Sequence, residues 1–239
     1  MAQKKVWLPE IGELTLSKRK GTRNLRLTVD ARGRARVGMP HWVPYSAGIR
    51  FALSRKEWLV KHISAVPKHL IQDGSRIGKY HRVRFMPATR DRLVQSRITQ
   101  SEIRILTNLN PTRAAVQTKA EKAAERALKQ QAEKLLPLRL SKLASDHSFR
   151  YRRLEIKKLS SRWGSCSSHK VITLNFFLMQ LPWDLIDYVI LHELVHTEEL
   201  NHSQEFWKRF EEALPGAKIL RRQMKNYRPV INSINPDVA

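Results

Sequence analysis

An α+β fold is the expectation from three features of the 239-residue chain. The first third alternates apolar and polar residues in short runs broken by glycine and basic turns, the pattern of strands. The middle is alanine-rich and spaced as a helix. The last third sets a β-branched run, "VITLNFF", before the apolar segment "WDLIDYVILHELVH". The expected division is a β-rich region over residues 1–105 and a helical region, with a small sheet of its own, over 106–239.

"GELTLS" and "NLRLTVD" read as strands separated by the basic turn "KRKGTR", and "ARGRARVGMP" returns as a hairpin closing near Gly33. "LSRKEWLVKHISAVPKHL" has helical spacing through Trp58, Leu59 and His62, with Ser54 as cap and a stop before Pro67. "DGSRIGKYHRVRFMP" reads as a second hairpin, with Tyr80, Val83 and Phe85 partly buried. From Asn110, a possible cap, and Pro111 a long helix follows, with a small-residue stripe through Val116, Ala120, Ala123, Ala127 and Leu128. Pro137 is expected to bend or end it, and "LRLSKLASDH" forms a further helical piece. "YRRLEIKKLSSRWGSCSSHKVITLNFFLM" reads as two strands joined by a Ser/Gly turn. The next helix has a proline just inside its start and buries Leu185, Tyr188, Val189, Ile190 and Leu194.

The formal net charge of +24 attracts polyanions: nucleic acid, anionic membrane or an acidic protein. The bland reading is a solubility surface. The single cysteine, Cys166, excludes an intrachain disulfide and a cysteine-rich zinc module. No apolar stretch approaches a membrane span, and the amino-terminal residues lack the apolar segment of a secretory signal. A soluble cytoplasmic protein is expected; its oligomeric state is not legible.

"HELVHTEELNHSQEFW" carries the chemistry. His192 and His196 are one turn apart and project from the same helix face, so both can reach one zinc ion. Glu193 lies about 100° around the helix, beside a metal rather than on it, where it can take a proton from water and pass it on. His202 supplies a third ligand if the chain bends near Leu200–Asn201, with Asn201 in a left-handed conformation and Asn201 or Ser203 capping the next helix. Phe206, Trp207 and Phe210 would pack that helix. Glu199 is the alternative third ligand, and Glu198 and Glu199 are otherwise solvent-facing. The competing reading is a buried helix whose histidines and carboxylate pair with one another without metal.

In "SSRWGSCSS", Gly164 permits a tight path, and Arg162 and Trp163 are candidates for contacting substrate, together with Asn175 downstream. Cys166 is expected to be a small buried residue. A further oxyanion donor is open among Arg162, Tyr188, Tyr227 and a backbone N–H.

"SRWGSCSS", "ITLNFFLMQLPWDLIDYVILHELVH" and "NHSQEFW" together resemble the YgjP-like family of zinc-dependent metallopeptidases. The resemblance is strong from about Leu135 to Phe210 and looser through "RNLRLTVDARGRARVGMP" and "FALSRKEWLVKHI". It implies a zincin-like core preceded by a β-rich region, with zinc on His192, His196 and His202 and Glu193 as base. It also implies peptide or protein substrates and a relation to SprT-like proteases acting on DNA-bound proteins. "VITLNFF" is the strand expected to pair with an extended peptide. The function expected is thus zinc-dependent peptide hydrolysis, with targets among nucleic-acid-associated proteins; the alternative is a nucleic-acid-binding protein with an idle or structural zinc centre.

Overall fold

The computed structural model describes residues 2–9, 11–29, 33–64, 70–89 and 94–231. The chain divides into two compact units, residues 1–68 and 69–239. The boundary expected at 105/106 therefore falls inside the second unit, because the strands just before it bury their apolar face on the helix just after it.

In the first unit, β1 (Gln3–Leu8), β2 (Gly12–Arg19), β3 (Arg26–Val29) and β4 (Ala35–Pro40) form one sheet in the order β1-β2-β4-β3. β2 and β4 are parallel, and the outer pairs are antiparallel. Alternation places Leu14 and Leu16 of β2 and Val37 and Met39 of β4 on one buried face. Two helices, α1 (Tyr45–Leu53) and α2 (Lys56–Ser64), bring Ala52 and Leu59 to the same core. The β3–β4 hairpin turns through Gly33 at φ 73°, as its sequence predicts. Ser54 does not start α2: it closes α1, its hydroxyl donating to the Phe51 carbonyl at 2.9 Å. The expected stop at Pro67 lies outside the described residues.

The second unit opens with β5 (Arg76–Ile77), β6 (His81–Met86), β7 (Gln95–Ile98) and β8 (Glu102–Leu106), in the order β5-β6-β8-β7. This repeats the neighbour order of the first sheet, again with the central pair parallel. Val83 is fully buried and Phe85 half-buried, but Tyr80 is exposed. Helix α3 runs unbroken for 33 residues, Ala114–Asp146, and buries the expected stripe completely. Pro137 neither ends nor divides it, because Leu136, Leu140 and Leu143 on either side belong to one core. Asn110 organises the turn before α3, accepting from the Thr112 N–H and hydroxyl, while Arg113 is the N-cap.

The segment read as two strands contains three: β9 (Arg153–Lys157), β10 (Gly164–Cys166) and β11 (Val171–Asn175). β11 lies between the other two, antiparallel to β10 and parallel to β9. Both of its edges are occupied, so it cannot take an added peptide strand as its sequence suggested; β10 and β9 are the edge strands, and β10 is the one beside Glu193. A 3-10 turn over Phe176–Gln180 leads to α4 (Trp183–Val195), with Pro182 at the N-cap. α5 (Gln204–Ala213) and α6 (Ala217–Met224) follow. Arg139 of α3 clamps Asp187 of α4 through two guanidinium nitrogens. Among the described residues no helix is long and apolar enough to cross a membrane.

Candidate metal centre

α4 is held by burial of Leu185, Ile186, Val189, Ile190 and Leu194, which also fixes the azimuth of its polar residues. His192 and His196 project from adjacent turns with ring centroids 4.8 Å apart. His202 reaches both, at 5.0 Å from His192 and 4.6 Å from His196. One ring nitrogen from each histidine lies within 4.8 Å of the others, and this is the one such cluster of potential ligands among the described residues.

The bend that returns His202 is made differently from the expectation. Asn201 is not left-handed. α4 instead stops at Val195, and the Val195 carbonyl accepts from the Glu198 and Glu199 N–H groups, both at 2.9 Å. His196 is the C-cap, and its Nδ1 meets the Glu199 carbonyl at 2.9 Å. A carbonyl only accepts, so Nδ1 carries the proton and the lone pair is on Nε2. Glu199 thus contributes its backbone to the turn, and its side chain is not part of the cluster. Ser203 caps α5, accepting from the Phe206 N–H at 3.3 Å. Phe206 and Phe210 are fully buried and Trp207 half-buried, as expected. Phe206 lies under all three imidazoles, with centroid distances of 5.0, 4.6 and 4.7 Å to His192, His196 and His202.

These donors fit a metal ion. His192 Nε2 and His202 Nε2 approach to 3.0 Å, near the separation of about 3.3 Å between neighbouring nitrogens around a tetrahedral ion. Burial and the two neighbouring imidazoles push the His192 pKa down to about 3. The His202 pKa is also lowered, by desolvation first and then by His196 and Arg221. Both rings are therefore neutral with lone pairs available. His192 Nδ1 is buried and has no partner among the described residues, whereas His196 Nδ1 has the carbonyl support usual for a ligating histidine.

Glu193 is 5% exposed, and no hydrogen bond reaches its carboxylate from the described residues. Burial raises its pKa to about 8, against the opposing charge of Arg162. Gly164 of β10 explains how the carboxylate fits. A Cβ there would stand 2.7 Å from Glu193 Oε1, so only glycine lets the edge strand pass this close. Glycine in the sequence signalled a turn; its actual role is close approach.

The expected substrate contacts divide. Arg162 is exposed beside β10, and Trp163 is half-buried against the core. Asn175 is fully buried, donating to the carbonyls of Leu159 and Arg162 at 2.9 and 2.8 Å and accepting from the Phe177 N–H. It ties the loop before β10 to β11 and offers nothing to a substrate. Cys166 is half-buried, its pKa raised to about 11 by burial and by Glu193, and stands outside the histidine cluster. Tyr188 is buried beside His192 and its pKa is raised by that burial. Arg221 of α6, which no spacing in the sequence marked, stacks over Trp207 at 4.7 Å and projects its charge toward His192 and His202.

Three imidazoles converging beside a buried carboxylate are a set of groups that could hold a metal ion with a proton acceptor next to it. The chain belongs to the YgjP-like family, whose metallopeptidase-domain model matches residues 23–227. Membership supports hydrolysis of peptide bonds in protein or peptide substrates with a divalent metal. Two solved metallopeptidase zymogens are similar over part of the chain. Abylysin of Pyrococcus abyssi is 26% identical, covering 38% of this chain and 95% of that one, with a TM-score of 0.34. Jannalysin of Methanocaldococcus jannaschii is 20% identical, covering 36% and 90%, with a TM-score of 0.33. A search of curated proteins returns no match.

Proposed function

We propose that this chain is a zinc-dependent endopeptidase in which His192, His196 and His202 hold the metal and Glu193 is the general base. The observation that carries this reading is the pairing of three converging imidazoles with a buried, unbonded carboxylate under Gly164. Zinc held there supplies Lewis-acid chemistry, acidifying water and polarising a carbonyl. Glu193 takes the proton of the attacking water as its oxygen joins the peptide carbon. It then delivers that proton to the amine nitrogen as the C–N bond breaks. Its raised pKa suits both halves of this shuttle.

The free edge of β10 supports binding of an extended peptide by strand addition, in place of β11. Backbone pairing tolerates varied side chains, with Arg162 next to the added strand. Asn175 acts as a positioning residue for that loop. The net charge of +24 supports targets found among polyanions, such as nucleic-acid-associated proteins. The test is cleavage of an unstructured protein by the zinc-loaded parent and by Glu193→Gln. The variant is expected to keep its zinc and lose cleavage by about 10²–10⁴-fold. Cleavage at the parent rate would remove Glu193 from the role of base.

A further inference from the structure

Away from the histidines, five cations among the described residues converge on one cavity of about 500 Å³. Lys119, Lys122, Arg126 and Lys129 come from α3, and Lys158 from the segment after β9. The α3 residues are three or four positions apart, so they share one face and run along about 15 Å of helix. Glu125, paired with Lys158, is the one carboxylate lining the cavity among the described residues. Lys119 and Lys122 make no ion pair with a described residue, and Arg126 donates to the Ser96 hydroxyl at 2.8 Å.

A solvated helix face would spread such charges, since their mutual repulsion is lowest when each is surrounded by water. Here they rim a concavity whose floor includes Phe176, only 5% exposed. Low-dielectric walls under a ring of like charge focus the field outward and raise the local concentration of anions. The linear spacing suits successive charges of one polymer rather than a single small anion. The floor adds a second requirement, because a ligand that only touched the rim would leave that surface wet.

We infer that this groove binds a single strand of nucleic acid, with phosphates on the α3 cations and sugars or bases against the apolar floor. A duplex keeps its bases stacked inside and can offer only its backbone to the rim. An anionic bilayer is a poorer fit, because membrane-binding surfaces project apolar groups beyond their basic ones; here Phe176 lies at the bottom of a cavity. The shared chemistry is the phosphodiester strand, whether its sugar is ribose or deoxyribose. This site is independent of the peptidase reading.

The test is fluorescence anisotropy with the full chain at 50–200 mM salt (about the range over which phosphate contacts are strongly screened). Probes are labelled oligo-dT, oligo-U and a duplex of equal length, alongside vesicles rich in phosphatidylserine. Lys122→Glu/Arg126→Glu is compared with the neutral Lys122→Gln/Arg126→Gln and with Lys20→Glu/Lys61→Glu, an equal charge change on exposed residues of the first unit. The parent should bind a single strand more tightly than the duplex. Groove reversal should weaken single-strand binding at least tenfold more than the control. The neutral pair should make the log–log salt dependence shallower by about 1.4. Peptide cleavage by the neutral pair should be unchanged. A preference between oligo-dT and oligo-U identifies the sugar, and either supports the groove. Four results would overturn it: no single-strand binding at the lowest salt, equal or tighter duplex binding, equal weakening by control and groove variants, or binding to vesicles alone.

Discussion

Gln131 and Glu193 are both buried, and each is pressed against a glycine that no other residue can replace without a clash. Gln131 lies under Gly78, where a Cβ would stand 2.2 Å from its Oε1; Glu193 lies under Gly164, where the same distance is 2.7 Å. The glutamine is fully engaged. It donates to the Ile77 carbonyl, accepts from the Lys79 N–H and meets His81 Nδ1 at 2.6 Å. The glutamate has no such partners among the described residues, and burial lifts its pKa to about 8. Equal packing therefore has opposite meanings. A satisfied amide rigidifies the fold, whereas a buried carboxylate without such partners is a cost, which the proposed role of Glu193 as base would explain.

That contrast predicts opposite outcomes when each side chain is neutralised or truncated. Glu193→Gln removes a buried acid at nearly constant volume, so cleavage should fall by about 10²–10⁴-fold while the denaturant midpoint is unchanged or rises. Gln131→Leu strands the groups that Gln131 satisfied, and equilibrium unfolding should show a loss of about 3–6 kcal/mol. Its cleavage rate below the melting transition should stay close to the parent's. A Gln131 variant that lost activity without losing stability would break the distinction.

The two glycines sharpen it further. Gly78 has φ 67°, and an added Cβ would also stand 2.8 Å from the Leu128 side chain, so Gly78→Ala should cost about 2–4 kcal/mol in unfolding experiments. Gly164→Ala should cost less stability, because Gly164 is not in the left-handed region and its Cβ would meet one side chain, that of Glu193, rather than two. Moving that carboxylate by about an ångström should still lower kcat on the order of a hundredfold. Equal stability losses, with activity intact in Gly164→Ala, would contradict the close-approach role.

The smallest effect concerns Lys79, next to Gly78. Its ammonium donates to the Leu181 carbonyl and sits 4.5 Å over the Trp183 ring. Desolvation lowers its pKa from 10.5 to about 8, against the attraction of Asp184 and Asp187. Between these two values the unfolded chain binds more protons than the folded one, so stability rises with pH across that window. Urea melts at pH 8 and 10 should show a rise in the parent that Lys79→Met reduces.

The sequence was most readable where periodicity or fixed spacing carried the information. The apolar arc of α4, the buried stripe of α3 and the Ser203 cap all follow from residues a few positions apart. Long-range pairing left weaker traces. Nothing in "VITLNFF" distinguishes a central strand from an edge strand, and nothing in "RWGS" shows that its glycine will meet Glu193. Asn175 looked available because polar residues near a site often are; its amide is consumed by the carbonyls of a loop 13 and 16 residues away. Pro137 does not end α3 for a related reason, since burial on both sides of it outweighs one missing N–H. Asn201 suggested a left-handed turn, but the chain turns earlier, where the Val195 carbonyl accepts from the Glu198 and Glu199 N–H groups.

Zinc affinity by competition with a chromophoric chelator tests the central claim most directly, on folded parent, Glu193→Gln, Glu199→Ala and His202→Ala. The parent should bind one zinc, and Glu193→Gln should match it, because a base beside the metal is not a ligand. Glu199→Ala should also match it, because only the Glu199 backbone supports His196. His202→Ala should bind at least about a hundredfold more weakly. A folded parent that takes up no zinc, or a His202→Ala that keeps parent affinity while Glu199→Ala loses it, would contradict the three-histidine centre.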